Sequence, residues 1–147
     1  MAGRRALALL VEPQTPEPLA ASPPEVGVTG LSSGCGASTV ARALALELPG
    51  TQVMDGAAPG PHGVLVAVAD RTGVPVLAGL VIERLAQRHP HVVLVANRPD
   101  DPHEWEHAGA VCLPQSRLGV MLVARGHRPW GPFGTAVRRL ARVVQAF

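Results

Sequence analysis

The sequence predicts an α/β fold built on a parallel sheet flanked by helices, and two observations lead to that prediction. Apolar residues run without interruption through residues 64–69 and 92–96, and such runs are typical of parallel strands covered on both faces. Segments of helical periodicity lie between the runs, as in a chain of strand–helix units. With 147 residues and 47% hydrophobic content, the chain can form one domain with a substantial core.

The predicted elements follow in order from residue 25. Strands are predicted at residues 26–31, 52–55, 63–69, 91–97 and 110–113. Helices are predicted from about residue 37 and at residues 75–88, 115–125 and 132–146. A short capped turn is predicted at Asp101 and Pro102. In the helix that begins at Pro75, the apolar spacing predicts that Leu77, Val81 and Leu85 face the core.

The N-terminal part of the chain is predicted to lie outside this domain. Residues 1–12 are interpreted as a peripheral strand or helix, residues 13–24 as a Pro-rich linker, and residues 25–147 as the α/β domain. An apolar run after two early arginines resembles the start of a signal peptide, but it is short and no small-residue cleavage site follows. No apolar run is long enough to span a bilayer. The two cysteines suggest no disulfide framework and fit a reducing compartment, so we expect a cytoplasmic protein.

The net charge argues against one class of partner, and the number of cysteines argues against a disulfide-rich protein. All 13 basic residues are arginine, and the net charge is only +2, which argues against a nucleic-acid partner because such proteins usually carry a concentrated basic face. The two cysteines, Cys35 and Cys112, are too few for a disulfide framework.

The most informative segment is residues 26–39, which reads as a buried strand, a glycine-rich turn and a helix start. This arrangement places backbone amides at a helix N-terminus, where they can cradle phosphate. We expect the strands at residues 26–31, 64–69 and 92–97 to be parallel neighbours, with the turn at residues 32–36 at their carboxyl edge. In the pattern G-x-x-x-x-G-K-[ST], however, Ala37 stands at the lysine and Leu31 at the first glycine. The amide cradle is kept, and the cation that would accompany it is missing.

Four segments in order resemble the ParA/MinD family of P-loop ATPases. Residues 32–39 follow the family's K-G-G-x-G-K-[ST]-[ST] loop, with both lysines replaced, by Ser32 and Ala37. Residues 53–60 are similar to its switch segment, in which an apolar strand precedes Asp and Pro-Gly. Residues 93–98 resemble its late strand ending in Asn-Arg, and residues 113–129 resemble its tail. The resemblance covers residues 25–147, although a strand and a helix that the family places before the switch Asp are absent.

The resemblance implies a P-loop NTPase-like fold that binds ATP or ADP with Mg²⁺. Ser38 would hold the metal, Asp55 would respond to it, and Asn97 would meet the base. The remaining loop positions implied to bind the nucleotide are Ser33, Gly34, Cys35, Gly36, Ala37 and Thr39. Without the lysines we expect weak binding, little or no hydrolysis, and regulation of a protein partner, which could be a second copy of the chain.

Two alternatives stay open for these residues. The glycine-rich turn could be an ordinary strand-to-helix connection, and Asp55 could be part of an Asp-Gly turn. The chain would then be a scaffold or interaction module that keeps the fold without a ligand.

A rival motif is His103-Glu104-Trp105-Glu106-His107, an H-E-x-x-H sequence. On a helix, His103 and His107 would face one zinc ion while Glu104 activates water, as in a zinc hydrolase. The context opposes this interpretation, because the segment is short and polar and no Asp or Glu follows Glu106 as a third ligand.

The last helix is amphipathic. The apolar residues lie on one stripe, opposite a basic face; the stripe is Val137, Leu140, Val144 and Phe147, and the basic face is Arg138, Arg139 and Arg142. Such a helix can contact a membrane surface, but docking on the core is the favoured interpretation.

Overall fold

The computed structural model describes residues 24–147. The element predicted at residues 1–12 and nearly all of the predicted linker lie outside the described residues. The strands are β1 (Glu25–Gly30), β2 (Gln52–Asp55), β3 (Val64–Asp70), β4 (Val92–Asn97) and β5 (Val111–Leu113). The helices are α1 (Ala37–Glu47), α2 (Pro75–Ala86), α3 (Pro102–His107), α4 (Arg117–Ala124) and α5 (Gly131–Gln145).

The five strands form one parallel sheet in the order β2-β1-β3-β4-β5. In the register, Val28 pairs with Asp55 on one side and with Val66 on the other, and Asp70 pairs with Asn97. The α/β prediction is therefore confirmed, as is the expectation that the strands near residues 26–31, 64–69 and 92–97 are parallel neighbours. Continuous apolar runs identified the central strands because both of their faces are covered.

The larger core lies between one face of the sheet and helices α1, α4 and α5. Its centre contains side chains with no measurable exposure, Leu44 of α1, Val66 and Leu140 among them. Gly119 allows α4 to approach α5 closely, since a Cβ there would lie 2.6 Å from the Phe133 ring. This layer is tightly interlocked, so its helices are fixed relative to the sheet.

The second face of the sheet has a thinner cover. Leu94, Ala96 and Cys112 pack there with Trp105 of α3 and Ala78 of α2. The connection after β2 crosses β1 on this side, because a Cβ on Gly27 would collide with Ala57 and lie 2.7 Å from Pro59 Cδ.

Helix α2 departs from its predicted orientation. Leu77 and Val81, which were expected to face the core, are 59% and 42% exposed, and Leu85 is half-buried. Ala78 is buried instead, and Ile82 packs partly buried on the sheet. The prediction was wrong because α2 is apolar on nearly all sides, so periodicity did not single out one face.

Helix α5 docks as favoured by the sequence. Val137, Leu140 and Val144 are buried in the larger core, and Arg139 and Arg142 are exposed. Phe147, predicted on the same stripe, is 56% exposed because the helix ends before it, at Gln145, so that part of the prediction was wrong. Membrane contact through this helix stays untested as a prediction. None of the helices within residues 24–147 is long and apolar enough to cross a bilayer.

Candidate phosphate-binding loop

The glycine-rich loop lies at the carboxyl edge of the sheet. Strand β1 ends at Gly30, the Leu31 amide donates to the Val68 carbonyl (2.8 Å), and helix α1 begins at Ala37. The neighbouring strands β3 and β4 end at the same edge, with Asp70 and Asn97. This is the position predicted for the turn, and it is the edge at which open parallel sheets bind ligands.

Three glycines allow the loop to fold back on itself. Gly34 and Gly36 have φ values of 73° and 90°, in the left-handed region that favours glycine. Gly30 provides space instead, because a Cβ at this position would lie 2.6 Å from Cys35 Sγ. The Cys35 thiol is therefore enclosed beneath the loop, and its side chain is 3% exposed.

Strand β4 holds the loop from behind. The Asn97 side-chain amide donates to the Cys35 carbonyl (2.9 Å), and Asn97 is only 7% exposed. The next residue, Arg98, has a positive φ of 59°, donates to Asp70 Oδ1 at 2.7 Å and reaches the Gly34 carbonyl at 3.4 Å. Two successive residues thus fix two carbonyls of the loop.

The outer side of the loop is open to ligands. A cavity of about 560 Å³ is lined by residues 30–39. Within the described residues, no backbone amide from Ser32 to Thr39 donates a hydrogen bond to a protein acceptor. No side chain caps α1, and its first turn has no acidic residue. These amides and the positive end of the helix dipole are therefore free to meet an anion.

The structure gathers most, but not all, of the predicted site residues at this cavity. Ser33, Gly34, Gly36, Ala37, Ser38 and Thr39 line it, and Cys35 contributes backbone. Asp55 is exposed at the end of β2 and does not line the cavity. Asn97 lies behind the loop with its amide nitrogen bonded to Cys35. The predicted roles of Asp55 with the metal and of Asn97 with a base stay predictions.

Sequence reasoning missed the role of Arg98. Its guanidinium is a positive group that the structure brings to the loop. It donates a hydrogen bond to the Gly34 carbonyl, however, and forms an ion pair with Asp70. Asp70 and Arg98 are 28 residues apart, and only the register of β3 and β4 brings them together. A salt bridge at this site reduces the positive charge that the loop offers to a phosphate.

The H-E-x-x-H segment forms α3, on the other face of the sheet. Trp105 is buried, whereas the His103 side chain is 96% exposed and lies 3.7 Å from Glu106. Among residues 24–147, no group of three His, Cys, Asp or Glu side chains could hold a metal ion. Cys112, the nearest thiol along the chain, packs beneath α3 and contacts the Pro102 carbonyl.

Comparisons with protein-family models, with curated proteins and with solved structures found no match for this chain.

Proposed function

We propose that the loop of residues 32–39 binds the phosphate groups of a nucleotide weakly, and that the bound nucleotide regulates an interaction with a protein partner, with little or no ATP hydrolysis. The observation that carries the proposal is the run of backbone amides at residues 32–39 that have no acceptor within residues 24–147, in a loop that lines an open cavity at a helix N-terminus. The ParA/MinD-like order of segments supports a nucleotide as the source of the phosphate.

The residues present fit a phosphate better than they fit a complete metal–nucleotide complex. The free amides and the left-handed glycines provide donors and close approach. The exposed Ser38 hydroxyl on the cavity wall could hold Mg²⁺, but Asp55 lies outside that wall. With Ala37 at the lysine position, residues 32–39 contain no cationic side chain to neutralise the phosphates, so hydrolysis lacks a principal source of transition-state stabilisation.

A ligand-free scaffold is the second candidate function. The hydrogen bonds of Asn97 and Arg98 to the loop carbonyls favour it, because they hold the loop in shape without a ligand. In that case the chain would act through its surfaces alone.

Calorimetric titration with ATP, ADP and GTP, with and without Mg²⁺, distinguishes the two. We expect weak binding by the wild type and negligible turnover. Ala37→Lys should tighten binding by about 1.5–3 kcal/mol, the scale of a hydrogen bond to a charged group, or about ten- to a hundredfold in Kd. Ala45→Lys, which adds the same charge to an exposed position of α1, is the matched control and should have little effect.

Gly36→Val in the Ala37→Lys background should abolish the gain, because a side chain there collides with Asn97 and displaces the loop from the conformation that presents its amides. Circular dichroism must show that each variant is folded. A folded Ala37→Lys protein without measurable nucleotide affinity would favour the scaffold over nucleotide binding.

A further inference from the structure

Helix α2 presents an apolar face to solvent. Val76, Leu77, Leu80 and Val81 are 74%, 59%, 57% and 42% exposed. Their spacing places them on one side of the helix, opposite Ala78 and Ile82, which pack on the sheet. Four of the larger apolar side chains of α2 thus point away from the core, and an exposed apolar face of this kind marks an interaction surface.

The two ends of this face carry opposite charge. Near its start, α3 lies alongside, and Asp101, Glu104, Val74 and Val76 are among the residues that line a shared groove of about 540 Å³. Near its end, Arg84 follows Leu80 by one helical turn, and Arg88 follows Arg84 by another, just past the last residue of α2. Both arginines are exposed.

None of these charges is neutralised within residues 24–147. Neither Arg84 nor Arg88 forms an ion pair there, and neither Asp101 nor Glu104 does. The surface is therefore acidic where α3 borders the start of α2, apolar along α2 and basic at the end of α2. A surface with this order is complementary to itself when it is turned end for end.

We propose that the chain forms a two-fold symmetric homodimer in which α2 packs antiparallel on α2 of a second copy. Antiparallel packing brings the four apolar side chains of the copies together and sets Arg84 and Arg88 of each copy against the acidic end of the other. An isologous interface needs a self-complementary patch of this kind, since each contact occurs twice about the symmetry axis. A parallel pair would oppose like charges, which is unfavourable.

This interface is separate from the phosphate-binding loop, so either proposal can fail without the other. Sedimentation equilibrium of the full chain over a range of concentrations tests whether the homodimer forms. We expect a mass twice that of the chain for the wild type and a monomer for Leu80→Glu. Leu118→Glu, at a comparably exposed leucine of α4, is the matched control and should remain dimeric.

Exchanging the charges of an interface ion pair tests the antiparallel orientation of the two α2 helices and leaves the apolar face unchanged. It also tests the dimer if Leu80→Glu does not fold. Arg84→Glu should weaken the dimer about tenfold, because two symmetric ion pairs become repulsive. Adding Glu104→Arg to that variant should restore most of the affinity. A double variant as weak as Arg84→Glu would overturn the antiparallel arrangement.

A monomeric wild type would overturn the proposal. Further measurements would then show what covers the apolar face of α2. Slow deuterium exchange along α2 in that monomer would assign the face to residues 1–23 of the same chain. Sedimentation with anionic lipid vesicles would assign it to a membrane surface. A dimer that survives Leu80→Glu would place the interface elsewhere.

Discussion

Gly34 and Gly36 have similar backbone conformations in different surroundings. A Cβ on Gly34 would meet nothing within 4 Å, whereas a Cβ on Gly36 would collide with the Asn97 amide. Gly34→Ala should therefore cost only the backbone strain, about 1–2 kcal/mol. Gly36→Ala should cost more, because it also displaces the amide that holds Cys35. Urea denaturation compares the two variants, and equal losses would contradict this account of Asn97.

Part of the loop could be predicted from sequence because its backbone demands particular residues. Left-handed conformations at positions 34 and 36 favour glycine, and the apolar run before them identified the strand. The hydrogen bond of Asn97 to Cys35 spans 62 residues. Residue types alone do not specify which distant groups meet, so neither Asn97 as an anchor nor the pairing of Arg98 with Asp70 could be read from the chain.

The reactivity of Cys112 and its dependence on pH test whether the Cys112 thiol is buried. Burial raises the pKa of its thiol above 9.0, the nearby Glu106 carboxylate raises it further, and Arg139 opposes both. The thiol should thus stay protonated at neutral pH and react more slowly with iodoacetamide than an unfolded control, as mapped by mass spectrometry. Because the folded state holds this proton more tightly, its contribution to stability is complete below pH 9 and falls above it. Rapid labelling of the native chain at neutral pH would contradict the packing of α3 over Cys112.

At the scale of an element, α2 and α5 show when periodicity identifies a buried face. In α5, arginines occupy the side opposite the apolar stripe, so the buried side is the only apolar one. In α2, apolar residues occupy both sides, and the smaller Ala78 is the one buried. Sequence spacing could therefore orient α5 and could not orient α2.

The packing of α5 yields a prediction about stability. Leu140 has no measurable exposure at the centre of the larger core, and Leu140→Ala should cost about 2–5 kcal/mol through the cavity it leaves. Leu118→Ala, at a leucine that is 41% exposed on α4, should cost much less. Chemical denaturation of both variants measures the difference. Comparable losses would show that α5 contributes little to the core.

At the scale of the whole molecule, one ion pair joins the end of α1 to the connection between α4 and α5. Arg128 donates two hydrogen bonds to Glu47, at 2.9 and 3.1 Å, and only 4% of the Glu47 side chain is exposed. The hydrogen bonds to Glu47 raise the pKa of Arg128, and the charge of the Glu47 carboxylate raises it further. The contact ties together helices that are distant in the sequence.

Removing the charge of Arg128 alone should destabilise the protein more than removing the charges of both Arg128 and Glu47. Arg128→Gln leaves the buried Glu47 carboxylate without its counter-charge and should lower the Tm. Adding Glu47→Gln to that variant removes the buried charge and should recover part of the loss. Thermal unfolding of the wild type, both single variants and the double variant gives the coupling. A double variant less stable than Arg128→Gln would contradict the burial of Glu47.

The anchoring of the loop to β4 limits how an anion could act on a partner. Asn97 and Arg98 already hold the Cys35 and Gly34 carbonyls, so an arriving phosphate meets a surface whose contour is set beforehand. It would change the electrostatic potential of that sheet edge rather than its shape. A partner that distinguishes the loaded from the empty form would then do so by charge, and its discrimination would fade as ionic strength rises.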